Sequence, residues 1–166
     1  MPRYTLDTNV YIDAFNHPQE EAALDSFLAR TAPHVHLSAV VMQELGAGAR
    51  TTAQAHVLQS DIFAPFARRR RTFGPSVDAF KTCGEILAHL WRRDGVPYAK
   101  RRRSLVNDIL LALSCREHGI VLVTKDGDFD TLRPFIRGFS HLRPWPPLAT
   151  RLERGLRAQR SRRQRR

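Results

Sequence analysis

The chain has 166 residues, of which 42% are apolar, enough to build one core and too many for a wholly disordered polymer. No apolar run approaches the roughly 18 residues of a membrane helix, and the start Met1-Pro2-Arg3-Tyr4 lacks a signal-peptide core, so a cytoplasmic protein is expected. The net charge is +11, but residues 151–166 hold eight Arg and one Glu, which leaves only +4 for residues 1–150.

Tyr4-Thr5-Leu6 reads as a short strand ending at Asp7-Thr8-Asn9. Glu20 to Thr31 has helical spacing, with Ala23, Leu24, Phe27 and Leu28 on one face and Pro33 as its stop. Val35-His36-Leu37 is a second strand, and Ser38 caps a helix through Val41 and Leu45 that fades at Gly46 and Gly48. Thr51 to Phe66 reads as one helix. Gly74-Pro75-Ser76 opens a long amphipathic helix to about Arg93, broken by Gly95-Val96-Pro97. Ser104 caps a further helix, ended by Gly119 in the position where a left-handed residue closes a helix. Ile120-Val121-Leu122-Val123 is a continuous apolar run, the pattern of a strand buried on both faces. Phe139 to Trp145 holds a last short strand. Strands alternate with helices, which predicts an α/β domain with a mostly parallel sheet over residues 1–149 and an Arg-rich tail over 150–166. Cys83 and Cys115 lie far apart inside helical patterns, and buried free thiols are expected.

The informative residues are acids. Asp7 follows the first strand and Asp126 follows the strongest one. In a parallel sheet the carboxyl ends of the strands share one edge, where ligands bind, so these two are candidates for one crevice. Asp108, preceded by Asn107, falls in the first turn of a helix, where an acid also simply complements the helix dipole. Glu44 lies among Val40, Val41, Met42 and Leu45, at the border of the core, where a carboxylate is costly without compensation. Carboxylates gathered in one pocket raise one another's pKa unless a cation joins them, and an oxygen-rich set poor in His and Cys suits Mg2+ or Mn2+. Only three of the 27 basic residues are lysine, and arginine's planar fork matches phosphate. The runs Arg68-Arg69-Arg70-Arg71 and Arg101-Arg102-Arg103 are candidate RNA-binding residues, with an acidic or amphipathic segment of a protein partner and a merely solvated face as the alternatives. A divalent ion in an acidic pocket beside such arginines suits phosphodiester hydrolysis. The seven histidines are scattered, and neither a phosphate-binding glycine loop nor a nucleophile elbow is present.

Leu6-Asp7-Thr8-Asn9, then Ser38 with Glu44-Leu45, then Asn107-Asp108-Ile109-Leu110, then Val123-Thr124-Lys125-Asp126-Gly127-Asp128-Phe129 resemble the ordered motifs of PIN-domain ribonucleases. In size and spacing they are most similar to VapC-type toxins of type II toxin–antitoxin systems. The resemblance spans about residues 3–145. It implies a three-layer α/β/α fold with a short, mostly parallel sheet, and an Mg2+- or Mn2+-dependent endoribonuclease leaving 5′-phosphate and 3′-hydroxyl ends. It implies Asp7, Glu44, Asp108 and Asp126 as the acidic quartet, with Asp7, Asp108 and Asp126 on the metal. Asp128 then ligates a second metal, acts through water, or caps the following turn. Thr8 or Asn9 would orient Asp7 or bind a phosphate oxygen, with Asn107 and Thr124 in support. A cognate antitoxin and a homodimer are implied partners; nothing implies a membrane.

Two other readings compete. A haloacid-dehalogenase-type phosphatase needs a second Asp two positions after the first, where this chain has Asn9. A non-catalytic nucleic-acid-binding module with structural acids predicts RNA affinity that survives chelation, and no cleavage.

Overall fold

A computed structural model describes residues 1–95 and 104–145; Arg101, Arg102, Arg103 and the Arg-rich tail lie outside the described residues. The chain runs β1 (Arg3–Leu6), α1 (Thr8–Asn16), α2 (Pro18–Thr31), a 3-10 turn (Ala32–His34), β2 (Leu37–Ser38), α3 (Ala39–Gly48), α4 (Thr52–Val57), a π-helical segment (Leu58–Phe63) and α5 (Ala64–Arg68). It continues with β3 (Thr72–Phe73), α6 (Val77–Asp94), α7 (Leu105–His118), β4 (Ile120–Val123), α8 (Asp128–Leu132) and β5 (His141–Leu142).

Among the described residues every strand pairing is parallel. β4 lies between β1 and β5, with Arg3 opposite Ile120 and Leu6 opposite Val123. β2 pairs with β3, and a bridge from Val35 to Tyr4, with the His36 N–H donating to the Tyr4 carbonyl at 2.8 Å, joins that ribbon to β1. The resulting order is β3-β2-β1-β4-β5, wrapped by helices in the α/β/α manner. Leu6, Leu37, Leu122 and Val123 are wholly buried in the sheet, and α7 contributes Ile109, Leu111 and Leu113 to the same core. Each such side chain removed from water is worth roughly 1.5–3 kcal/mol.

Local chemistry sets the element ends. Ser38 and Ser76 accept from Val40 N–H at 3.2 Å and Ala79 N–H at 3.0 Å, and Thr51 with Gln54 forms a reciprocal capping box. Gly119 ends α7 with φ +59°, which permits β4 to begin at once.

The expected strand over Ile120–Val123 and the parallel sheet are present. Other expectations need correction. The segment after Asp7, to which the sequence pattern assigns no element, is helix α1, whose Val10, Tyr11 and Ala14 are buried. The Thr51–Phe66 helix is three pieces, because backbone bonding widens to a π turn over Leu58–Phe63 before Pro65, which fits the first turn of α5 where no N–H is needed. Ser104 sits before α7 but its hydroxyl makes no capping bond. Val35-His36-Leu37 is displaced to Leu37–Ser38, and β3 and α8 have no counterpart among the sequence expectations. Cys83 and Cys115 are free and buried, as expected.

Candidate active site

Asp7 is placed by the sheet. Its N–H donates to the Val123 carbonyl at 2.9 Å, continuing the β1–β4 ladder one residue past Leu6. Its side chain then turns back to cap α1, with Oδ1 accepting from the Thr8 N–H at 2.7 Å. Oδ2 accepts from Asn9 Nδ2 at 2.7 Å and from Thr124 Oγ1 at 2.5 Å. Thr124, wholly buried, is the residue after β4, and its N–H donates to the Leu142 carbonyl of β5 at 3.0 Å. The carboxyl ends of three neighbouring strands therefore meet around one carboxylate.

Asp7 is only 7% exposed, and its pKa is pushed up from 3.8 to about 6. Burial is the largest cause. The Thr124 hydroxyl and the Thr8 N–H oppose it by stabilising the anion, and the charges of Glu44 and Asp126 raise it further. Both acids thus stand close enough for their charge to be felt at Asp7, although they come from positions 44 and 126.

Glu44, half-buried on α3, is held from two sides. Thr8 Oγ1 donates to its Oε2, and Asn107 Nδ2 donates to its Oε1 at 2.8 Å and to Gln43 Oε1 at 3.3 Å. This brings the first turn of α7 against α3. Asp108 is the next residue of that turn, half-buried, its N–H donating to the Ser104 carbonyl at 2.8 Å. Asp126 is half-buried in the loop after β4; its N–H donates to Thr124 Oγ1 at 3.0 Å, and its Oδ1 accepts from the Asp128 N–H at 2.8 Å. Asp128 itself is exposed and opens α8.

The sequence-expected residues Asp7, Thr8, Asn9, Glu44, Asn107, Thr124 and Asp126 are therefore one hydrogen-bonded and electrostatic cluster, with Asp108 adjoining it through Asn107. Among the described residues, no three His, Cys, Asp or Glu side chains converge closely enough to hold a metal as they stand; hydroxyl and amide donors lie between the acids. The Arg68–Arg71 run is not in this cluster, because it leads into the amino end of β3.

Sequence reasoning missed Lys125. Its N–H donates to Asn9 Oδ1 at 3.3 Å, and its ammonium bridges Asp13 at 2.6 Å and Glu20 at 3.0 Å, tying the β4 loop to α1 and α2. Its place between Thr124 and Asp126, as one of three lysines, was the available signal.

The family model of the PIN domain matches residues 4–133. The chain belongs to the PIN domain family. No curated protein matches the chain in sequence. Solved structures similar to this PIN domain include FitAcB from Neisseria gonorrhoeae, at 23% identity over 87% of this chain and 99% of that one, with a TM-score of 0.55. DNA-bound VapBC from Salmonella typhimurium is similar at 21% identity over 86% and 98% of the two chains, TM-score 0.55. VapBC2 from Rickettsia felis, bound to a DNA fragment from its promoter, is similar at 19% identity over 84% and 97%, TM-score 0.56. At these identities the likeness establishes the fold. Among the described residues of this PIN domain, no helix is long and apolar enough to cross a membrane.

Proposed function

We propose that this PIN domain is an endoribonuclease that hydrolyses RNA phosphodiester bonds, and that it acts as the toxin of a toxin–antitoxin pair. The observation that carries the reading is the buried carboxylate of Asp7, its pKa raised to about 6, with Glu44 and Asp126 beside it at the carboxyl edge of a parallel sheet. PIN domains are typically nucleases, which supports it.

A hard divalent cation fits this cluster by donor chemistry. Its acids offer only oxygen, and their mutual repulsion around a buried carboxylate is the strain that a cation relieves. Asp7, Asp108 and Asp126 would hold Mg2+ or Mn2+, with Asp128 beside them and Glu44 completing the acidic set. When bound, such an ion supplies charge neutralisation and a more acidic water. The chain's own groups do the positioning. Asn9 and Thr124 fix the Asp7 carboxylate, Thr8 and Asn107 fix Glu44, and the Asp128 N–H fixes Asp126. Above about pH 6 Asp7 is an anion and able to ligate. In the net reaction a water oxygen bonds to phosphorus as the P–O3′ bond breaks. A proton ends on O3′, leaving 5′-phosphate and 3′-hydroxyl ends.

The similarity to VapBC and FitAcB supports a cognate antitoxin as partner, and the same reading carries a homodimer working in the cytoplasm. The test is cleavage of labelled single-stranded RNA by the full chain with Mg2+ or Mn2+ and with EDTA, with the new ends mapped. Asp7→Asn, Asp108→Asn and Asp126→Asn should each abolish turnover while preserving the circular dichroism spectrum. Full activity in any one of them refutes its assignment. RNA binding that survives EDTA, with no cleavage at any metal concentration, would make the chain a binding module instead.

A further inference from the structure

The sheet has a second edge, and its charge is opposite to that of the first. Because every pairing is parallel, the residues that lead into the strands share one side. Arg3 opens β1, His36 precedes β2, Arg71 precedes β3, and His118 with Gly119 precedes β4. His36 registers the grouping. Burial chiefly, and then the charges of Arg3, Arg71 and His118, hold its imidazole below the usual range, against its contact with the His34 carbonyl. Exposed Arg68, Arg69 and Arg70 form the turn that delivers Arg71, and Arg68 and Arg69 line a cavity of about 430 Å³ with Pro65.

Among the described residues, no carboxylate stands within ion-pair distance of Arg3, Arg68, Arg69, Arg70 or Arg71. Arg3, Arg68, Arg69 and Arg71 instead donate to the carbonyls of His118, Ala64, Pro65 and Ala32, using a small part of their N–H groups. Arg3 and Arg71, whose charges are both felt at His36, carry like charge with Arg68, Arg69 and Arg70 preceding them in the turn, and a polyanion relieves such repulsion.

Arg70 supplies an independent observation. The Arg71 N–H donates to the Phe66 carbonyl at 2.9 Å and the Arg70 N–H to the Ala67 carbonyl at 3.0 Å, the bonding of a Schellman motif. The residue in its left-handed position, at φ +53°, is Arg70, where glycine would avoid the clash of a Cβ. A charged side chain thus stands at a backbone position that disfavours one, exposed to solvent beside Arg69 and Arg71.

We propose that this amino-terminal edge, centred on Arg68, Arg69, Arg70 and Arg71 with Arg3, is a second RNA-binding surface that grips the phosphodiester backbone of a long substrate away from the bond to be cut. The proposal rests on the nuclease reading above for the identity of its ligand. Four residues of β1 separate the two edges, at least about 10 Å at ~3.3 Å per residue. A strand that runs from the acidic pocket to the arginines crosses that distance along the surface, so its phosphates on the far side of the bond to be cut meet them.

The experiment measures fluorescence anisotropy of labelled single-stranded RNA, short and long, with the full chain carrying Asp7→Asn in EDTA, so that binding is read without cleavage. Short RNA, which meets fewer of the arginines, should bind more weakly than long RNA to the chain that keeps them, and adding Arg68→Ala with Arg69→Ala should weaken long-RNA binding about tenfold. Its salt dependence should flatten by about 0.7 for each phosphate no longer neutralised. Arg70→Gly should weaken long-RNA binding while raising Tm by a few degrees (roughly 2–4), and Arg70→Lys should restore the binding. Unchanged affinity for long RNA, or equal affinity for short and long RNA, overturns the proposal; so does a fall in Tm for Arg70→Gly. Cleavage assays on the chain with Asp7 intact separate the two readings. Cleavage together with arginine-independent binding removes only the second surface, and arginine-dependent binding without cleavage removes only the nuclease.

Discussion

Replacing Asp7 by asparagine tests the physical basis of the site without reference to turnover. Asp7 ionises near 3.8 in the unfolded chain and near 6 in the fold, where burial is the largest cause. Between those pH values the folded chain binds the extra proton, so this group's stabilising effect is present below about pH 4 and lost as pH rises through about 6. At 1.36 kcal/mol per pH unit the gap amounts to about 3 kcal/mol of penalty carried by the metal-free protein at pH 8. The asparagine amide removes the charge but is a poorer acceptor for the Asn9 amide and the Thr124 hydroxyl, a loss of about 1–1.5 kcal/mol. The variant should therefore be more stable than the parent by about 1.5–2 kcal/mol at pH 8, and slightly less stable near pH 4. Urea denaturation of both proteins in EDTA across this range reads the difference directly, and charges common to both cancel. Mg2+ should then stabilise the parent at pH 8 and leave the variant unmoved. A parent-minus-variant difference that does not change between pH 4 and pH 8 refutes the claim that burial dominates at Asp7, and a variant less stable at pH 8 shows that its hydrogen bonds outweigh burial.

Three further outcomes are expected. Asn107→Ala frees one oxygen of Glu44 and should lower turnover about 10–100-fold with little change in Tm, since partners that orient a metal site carry that much; unaltered kinetics would remove Asn107 from the site. Gly119→Ala forces a Cβ into the left-handed position that closes α7, 3.5 Å from the Arg3 guanidinium, and should cost about 1 kcal/mol, or 2–4 °C in Tm, by thermal denaturation. Lys125→Met loses the bridges to Asp13 and Glu20, which are about one-third exposed, so the cost should stay below about 1 kcal/mol and vanish in high salt; a larger, salt-independent loss would mean that the lysine packs rather than pairs.

What was legible in the sequence was whatever a local pattern encodes. Ile120–Val123 is apolar throughout because both faces of β4 are covered, and the positions of Asp7 and Asp126 follow from strand ends in a parallel sheet. Helix α1 was hidden because Asp7-Thr8-Asn9 are turn-forming residues, and Asp7 is in fact the cap of the helix that follows. β3 is two residues long, so only its pairing with β2 makes it a strand. Within the site, the acids were legible as residue types, but their restraints were not. Thr8 reaches Glu44 across 36 positions and Asn107 reaches it across 63, distances that depend on how α1, α3 and α7 pack. The arginine run was legible as charge, and only the strand directions reveal that it faces away from the acids.

The cluster around Asp7 draws on residues from both ends of the described chain, and Thr124 is secured by β5, the last strand. A fragment that stops short of Leu142 lacks the bond by which β5 secures Thr124. Every acid of the cluster therefore precedes in the chain the strand that secures the hydroxyl donor to Asp7, so the orientation of the first acid depends on the latest of the described strands.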